Sequence, residues 1–205
     1  MIVIVDYGLG NLMSVQNMIA KIGYQSVISS NEDEIRLASK IILPGVGSFD
    51  DGVENIEKKG LRKILVRKAL KNKTPFLGIC LGMHLMTLGS EEGSLNGLGI
   101  IEGYARRLPN NFNDIKLLVP HIGWNLIKKT KQNPIIDNFD DKCRFYFVHA
   151  YHVELNNPNH ILLKTNYGIE FISGFVKDNI VGVQFHPEKS HSFGKQLMKN
   201  FIENF

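Results

Sequence analysis

The sequence predicts an α/β fold: an open, mostly parallel twisted sheet flanked by helices, with an antiparallel insertion. Three observations carry this. From residue 1 to about residue 89, short apolar runs alternate with glycine turns and helical spacing, in the order βαβαβαβα, which builds a parallel sheet covered on both faces. Beyond residue 89 the glycines Gly93, Gly97, Gly99 and Gly103 punctuate shorter apolar pieces that read as hairpins. The chain then closes on an amphipathic segment over 193–205, suited to covering the sheet. At 205 residues, with no repeats or linkers, a single domain over 1–205 is expected.

The elements follow in order. Residues 2–5 (IVIV) form a continuous apolar run ended by Asp6, the pattern of a central parallel strand. The turn after it places Gly8 and Gly10 as in a dinucleotide fingerprint, but the third glycine position holds Met13, so that reading fails. Residues 14–23 have helical spacing, with Gly23 as the stop. A second strand is expected over 25–29. A short helix then follows Asn31, a good N-cap with Glu32, Asp33 and Glu34 in its first turn. The third strand, 40–43, ends in Pro44-Gly45-Val46-Gly47, and a helix over 51–72, interrupted near Gly60, leads to a strand over 75–79. Further strands are expected at 99–101, 104–108, 116–120, 144–148, 161–165, 171–176 and 181–185.

Composition narrows the function classes. The charged fraction of 21% and net charge of +4 are ordinary, and the densest basic cluster, Lys128, Lys129 and Lys131, is short and mixed with polar residues, so a solvated surface is expected rather than a nucleic-acid site. No apolar run is long enough to span a bilayer, and the opening MIVIVDYG lacks the basic start and cleavage site of a signal peptide. A cytoplasmic protein is expected. Two cysteines, Cys80 and Cys143, do not make a disulfide framework.

The chemistry concentrates at Gly78-Ile79-Cys80-Leu81-Gly82. Here a cysteine sits at a tight strand-to-helix turn between two glycines, the thiol counterpart of a G-x-S-x-G nucleophile elbow. Such a turn lifts the side chain off the sheet edge, and the helix N-terminus favours thiolate over thiol. Among seven histidines, His186 stands at the end of the buried run 180–185, where sites form beyond the carboxyl ends of parallel strands. Glu188, two residues on, can hold the far ring nitrogen. Cys80, His186 and Glu188 are thus the expected nucleophile, base and orienter. His149 and His152, three apart and taken as lying on one strand, would face opposite ways, so no metal site is expected. No other cofactor is expected.

GICLGMH at 78–84 and VGVQFHPEKS at 181–190 together resemble the class I, triad-type glutamine amidotransferases. DYGLGNLMSV at 6–15, LPGVGSFDDGV at 43–53, VPHIGWN at 119–125 and YFVHAYH at 146–152 look like the glutaminase subunit of imidazole glycerol phosphate synthase, in family order and over almost the whole chain. The resemblance implies hydrolysis of L-glutamine to glutamate and ammonia through a Cys80 thioester, with an oxyanion held by the Leu81 N–H and an amide of the Gly45-Val46 turn. It implies substrate contacts from Gly47, Gly82, His84, Glu92, His149, Ala150 and Tyr151. It also implies a partner, a (β/α)8-barrel cyclase that receives the ammonia for histidine biosynthesis, docking near Asn11, Trp124, Asn125, Tyr146 and Lys189. Two positions depart from the family pattern: His84 stands where Gln is usual, and Ala150 where Ser or Thr is common. These leave open a paralogous glutaminase feeding a sugar-amidating synthetase of surface-polysaccharide synthesis. A non-catalytic binding subunit of the same fold is a further alternative, and the intact triad argues against it.

Overall fold

The structure, a computed structural model, describes residues 1–112 and 115–205. The alternating half runs β1 (Ile2–Val5), α1 (Leu12–Lys21), β2 (Ser26–Ser29), α2 (Glu32–Leu37), β3 (Lys40–Leu43), α3 (Phe49–Lys58), α4 (Arg62–Val66), β4 (Phe76–Ile79) and α5 (Leu81–Leu85). A π-helical turn, Arg67–Lys71, extends α4. The second half runs β5 (Gly103–Arg107), β6 (Asn111–Phe112), β7 (Ile115–Lys116), β8 (His121–Leu126), β9 (Lys128–Lys129), β10 (Arg144–His149), β11 (Tyr151–Leu155), β12 (Ile161–Tyr167), β13 (Ile169–Lys177), β14 (Ile180–Val183) and α6 (His191–Asn204).

The main sheet has the order β2-β1-β3-β4-β14-β13-β11-β5, with β12 on β13 and β9 on β12. β2, β1, β3, β4 and β14 are mutually parallel; beyond β14 every pairing is antiparallel. The inner parallel strands β1, β3, β4 and β14 are largely apolar on both faces because helices cover both, whereas β2 is a half-exposed edge. Ile2 and Ile4 of β1 pack with Val15, Met18 and Ile19 of α1 and with Leu197, Met198 and Phe201 of α6. Val3 and Val5 point the other way, into the layer of Ile35, Phe49, Val53, Ile56, Ile64 and Leu65 from α2, α3 and α4. No described helix is long and apolar enough to cross a membrane.

Where the expected helix over 51–72 passes Gly60, the chain stops and restarts. Gly60 adopts φ +68°, and its N–H and that of Leu61 bond back to Glu57 O and Ile56 O, closing α3 with a glycine cap. Residues 99–101 are not a strand. Ile100 and Ile101 are buried, but both N–H groups donate to Met86 O, so this is a loop wrapped over the end of α5. Of the strand expected over 116–120, only Lys116 lies in a strand, in the ribbon with β6, Leu117 N–H adding a bond to Asn110 O at 2.8 Å, and β8 begins after Pro120. β8 and β11 are strands that periodicity did not indicate. His149 and His152 therefore lie on two strands, β10 and β11, not one, and both are buried. Among the described residues no group of three or more His, Cys, Asp or Glu is arranged to hold a metal ion.

Candidate active site

The site is built at the carboxyl edge of the parallel strands, where β4 and β14 lie side by side in register from Ile180↔Phe76 to Val183↔Ile79. Cys80 follows β4 directly. Its backbone sits at φ +51°, ψ −111°, a region that costs a non-glycine residue on the order of 1–3 kcal/mol. The amide of Cys80 is tied to Val183 O at 2.8 Å and its carbonyl accepts from the His84 N–H of α5, so strand and helix hold the elbow from both sides. The flanking glycines are needed for close approach. A Cβ on Gly78 would fall 2.3 Å from Met86 Sδ, and one on Gly82 would fall 1.8 Å from Leu43 O. The strain thus falls on the cysteine while the glycines let β3, β4 and α5 converge.

His186 is placed three residues past β14. Its N–H donates to Tyr146 O and its carbonyl accepts from Ser190 Oγ at 2.6 Å, while Pro187–Lys189 turn in a 3-10 helix. That turn brings Glu188 back onto the ring: His186 Nδ1–H donates to Glu188 Oε1 at 2.7 Å, with the side chains 1% and 4% exposed. Nδ1 is thereby fixed as the protonated nitrogen of the neutral ring. Nε2 is buried and closes no hydrogen bond among the described residues. Burial works to lower the affinity of His186 for a proton. The nearby Cys80 sulfur, and then Glu188, outweigh it, and the group is pushed up to about 10. An imidazolium is therefore the favoured partner for a Cys80 thiolate.

A cleft of about 210 Å³ opens above the sulfur. It is smaller than the roughly 300–1,000 Å³ of sites for larger ligands. Cys80, Leu81, Val46, Gly47, His84, Glu92, His149, Ala150, Tyr151 and His186 line it. Gly45 and Gly82 lie beneath it, pressed together: a Cβ on Gly45 would come 3.0 Å from Gly82 N and 2.8 Å from Leu81 Cβ. The first N–H groups of α5 have no intrahelical acceptor, so Leu81 N–H is free to serve an oxyanion beside Cys80. Glu92 bridges from the facing loop, its Oε2 accepting from Phe49 N at 3.1 Å, and burial raises the carboxyl above its usual range.

The residues expected at a partner surface divide. Trp124 is 43% exposed on β8, stacked on His191 at 5.4 Å and edge-on to Tyr146, whose ring also carries Lys189 Nζ at 5.7 Å. Ile122 and Leu126 share its exposed face. Asn125 points inward and donates to Asn166 O at 2.9 Å. Asn11 is exposed at the start of α1.

Three residues of this region were not singled out by the sequence. Gln184 is fully buried, with Oε1 2.8 Å from His84 Nε2 and Nε2 3.9 Å from Cys80 Sγ. A polar residue inside the apolar run 180–185 was the available signal. His121 is stacked between Phe147 and Tyr167 behind His149, and nothing in its spacing points there. Tyr7 is fully buried behind the Gly45 turn with an unpartnered hydroxyl; burial, with Cys80 adding to it, pushes that phenol well above its ordinary range.

A parallel sheet that offers a strained cysteine and a carboxylate-held histidine at one edge has the outline of a thiol-dependent amide hydrolase. Residues 3–205 match the glutamine amidotransferase class-I family. The chain belongs to that family. It is 52% identical over 205 residues to the imidazole glycerol phosphate synthase subunit HisH 2 of Methanococcus maripaludis, covering 99% of each chain. It is 44% identical over 203 residues to the subunit of the same name from Pseudomonas aeruginosa, again covering 99% of each. Among solved structures, PurLQS from Thermotoga maritima has a TM-score of 0.76 at 17% identity, covering 98% of this chain and 96% of that one, a likeness of fold alone.

Proposed function

We propose that this chain, as one domain over 1–205, is the glutaminase subunit of an imidazole glycerol phosphate synthase and supplies ammonia for histidine biosynthesis. The observation that carries the reading is the meeting of Cys80 with the His186–Glu188 pair at one small cleft. The full-length similarity to HisH subunits supports the substrate and the pathway.

The Cys80 thiolate attacks the side-chain carboxamide carbon of glutamine. Its oxygen takes up negative charge and is held by the Leu81 N–H and an amide of the Gly45-Val46 turn. The carbon–nitrogen bond breaks as His186, protonated at Nε2, gives its proton to the leaving ammonia. The neutral imidazole then takes a proton from water, which attacks the thioester, releases glutamate and restores the thiolate. Glu188 keeps the ring oriented and favours its charged form. Gly47, Gly82, His84, Glu92, His149, Ala150 and Tyr151 shape the substrate site around the reacting carbon. Ammonia passes to a (β/α)8-barrel cyclase seated over the exposed face of Ile122, Trp124 and Leu126, with Asn11, Asn125, Tyr146 and Lys189 near its edge. A large aromatic among apolar neighbours suits such an anchor.

Cys80→Ala in the assembled complex is expected to abolish glutamine-dependent synthesis and to leave ammonia-dependent synthesis intact. Loss of both in a complex that still assembles would overturn the reading. His84 and Ala150 in the cleft favour one alternative, a glutaminase serving sugar amidation. Growth of a histidine auxotroph carrying this chain, without added histidine, separates the two.

A further inference from the structure

The proposed mechanism gives the proton chemistry to His186 and Glu188 and places His84 in the cleft wall, but leaves Gln184, buried beside the sulfur, without a role. His84 follows Cys80 by one helical turn, and its Nε2 lies 2.8 Å from Gln184 Oε1. Gln184, two residues before His186, is 0% exposed and directs its amide nitrogen to Cys80 Sγ at 3.9 Å. The oxygen of a carboxamide only accepts, so the His84 ring must donate through Nε2–H. Burial holds His84 down to about 4, so it is neutral at ordinary pH and can keep that single tautomer. The contact locks the amide: with Oε1 engaged, the NH2 group is left facing the sulfur.

The geometry points to His84 and Gln184 as a positioning pair for the nucleophile, in which the His84 imidazole orients the Gln184 carboxamide so that its N–H group stabilises the Cys80 sulfur as a thiolate. An N–H···S contact at 3.9 Å is long for a neutral thiol and strengthens once the sulfur carries charge. The pair reaches the sulfur by a different route from His186 and can act with it. The other ionisable groups around Cys80 are His186 backed by Glu188 after β14, Tyr7 just past β1, and His149, Tyr151 and Glu92 in the cleft lining. None of these is removed by changing Gln184.

This rests on Cys80 being the nucleophile of the proposed reaction, and the test reads the thiol itself. Alkylation of the full chain by iodoacetamide is followed at the Cys80 peptide by mass spectrometry as a function of pH. Gln184→Met keeps the shape and removes both amide hydrogens. It is expected to raise the midpoint by about one pH unit and to slow alkylation at neutral pH about tenfold. His84→Leu frees the amide and is expected to shift the midpoint in the same direction by less, and His84→Gln, which can again donate to Oε1, to restore it. Should Gln184→Met fail to fold, Gln184→Leu removes the donors without adding charge, with the same sign expected. A native midpoint in these folded variants, with only the melting temperature lowered, would overturn the inference, as would His84→Gln behaving like His84→Leu. A chain that shows the shifts yet never hydrolyses glutamine with its partner would defeat the proposed function and leave this pairing standing.

Discussion

Nδ1 of His121 lies 3.0 Å from Nε2 of His149, and Nδ1 of His149 lies 2.8 Å from the carbonyl oxygen of Tyr151. The carbonyl can only accept, so His149 carries its proton on Nδ1. Its Nε2 is then a bare acceptor, and His121 must donate from Nδ1. Both rings are neutral in this chain, which runs from behind the cleft into its lining. A proton added to His149 goes to Nε2 and faces the donor of His121, while one added to His121 goes to its own Nε2 and faces the Asn125 amide nitrogen at 3.4 Å.

Acid is therefore expected to destabilise the fold well before the carboxylates titrate. Burial holds His84 and His121 at about 4 and keeps His149 well below the ordinary 6.5. The unfolded chain takes up protons near 6.5 and the folded chain does not, so the stability these residues contribute is complete above 6.5 and is lost as pH falls towards 4. The slope is up to about 1.4 kcal/mol per pH unit for each histidine. Urea unfolding at a series of pH values between 7 and 4.5 checks this; a flat stability across that range would contradict the buried neutral chain.

His186 has the opposite sign. Its folded value is raised to about 10 against 6.5 unfolded, so its contribution is complete below 6.5 and is lost as pH rises through 10. Cys80 is the first of the groups that raise it. Cys80→Ala is expected to bring the His186 titration, followed by the NMR shifts of its ring protons, down by more than one unit, and Glu188→Gln to bring it down as well. An unmoved titration in Cys80→Ala would mean that the sulfur does not act on the ring.

The parallel half of the fold was legible because its inner strands are buried on both faces and read as apolar runs, as in 2–5 and 41–43. β8 was not, because its burial is inverted. Ile122, Trp124 and Leu126 face out, while His121 and Asn125 turn inward to hydrogen bonds that no periodicity foretells. Residues 99–101 misled for the converse reason: Ile100 and Ile101 are buried from a loop, and hydrophobicity reports burial, not pairing. At the site, Cys80, His186 and Glu188 stood out because each ends a strand or turn with a functional group. Gln184 read as part of a strand and Tyr7 as part of the glycine turn after the first strand, and only three-dimensional proximity brings them to the sulfur and the Gly45 turn.

Tyr7 tests the balance between that proximity and its cost. Its hydroxyl is buried without a partner among the described residues, which costs a fold on the order of 1–3 kcal/mol. Tyr7→Phe keeps the ring packing and is expected to leave stability unchanged or to raise it by about 1 kcal/mol, measured by urea unfolding. A loss of 2 kcal/mol or more, by the same order-of-magnitude scale, would show that the hydroxyl has a partner in the folded protein.

Two glycines of the site separate the demands of space and backbone. Gly82 has no positive φ, but a Cβ there would stand 1.8 Å from Leu43 O, a backbone atom fixed in β3. Gly47 adopts φ +133°, yet a Cβ there meets nothing closer than Leu9 Cδ1 at 3.4 Å. Gly82→Ala must push α5 away from β3 and is expected to cost about 2–4 kcal/mol, carrying the Cys80 elbow with it, so that alkylation of the thiol changes together with stability. Gly47→Ala strains a local exposed turn at the cleft rim and is expected to cost about 1–2 kcal/mol and to change thiol alkylation less than Gly82→Ala does. Comparing the two by urea unfolding and iodoacetamide labelling decides whether the elbow is held by packing: equal stability losses, or an unchanged thiol in Gly82→Ala, would place its control elsewhere.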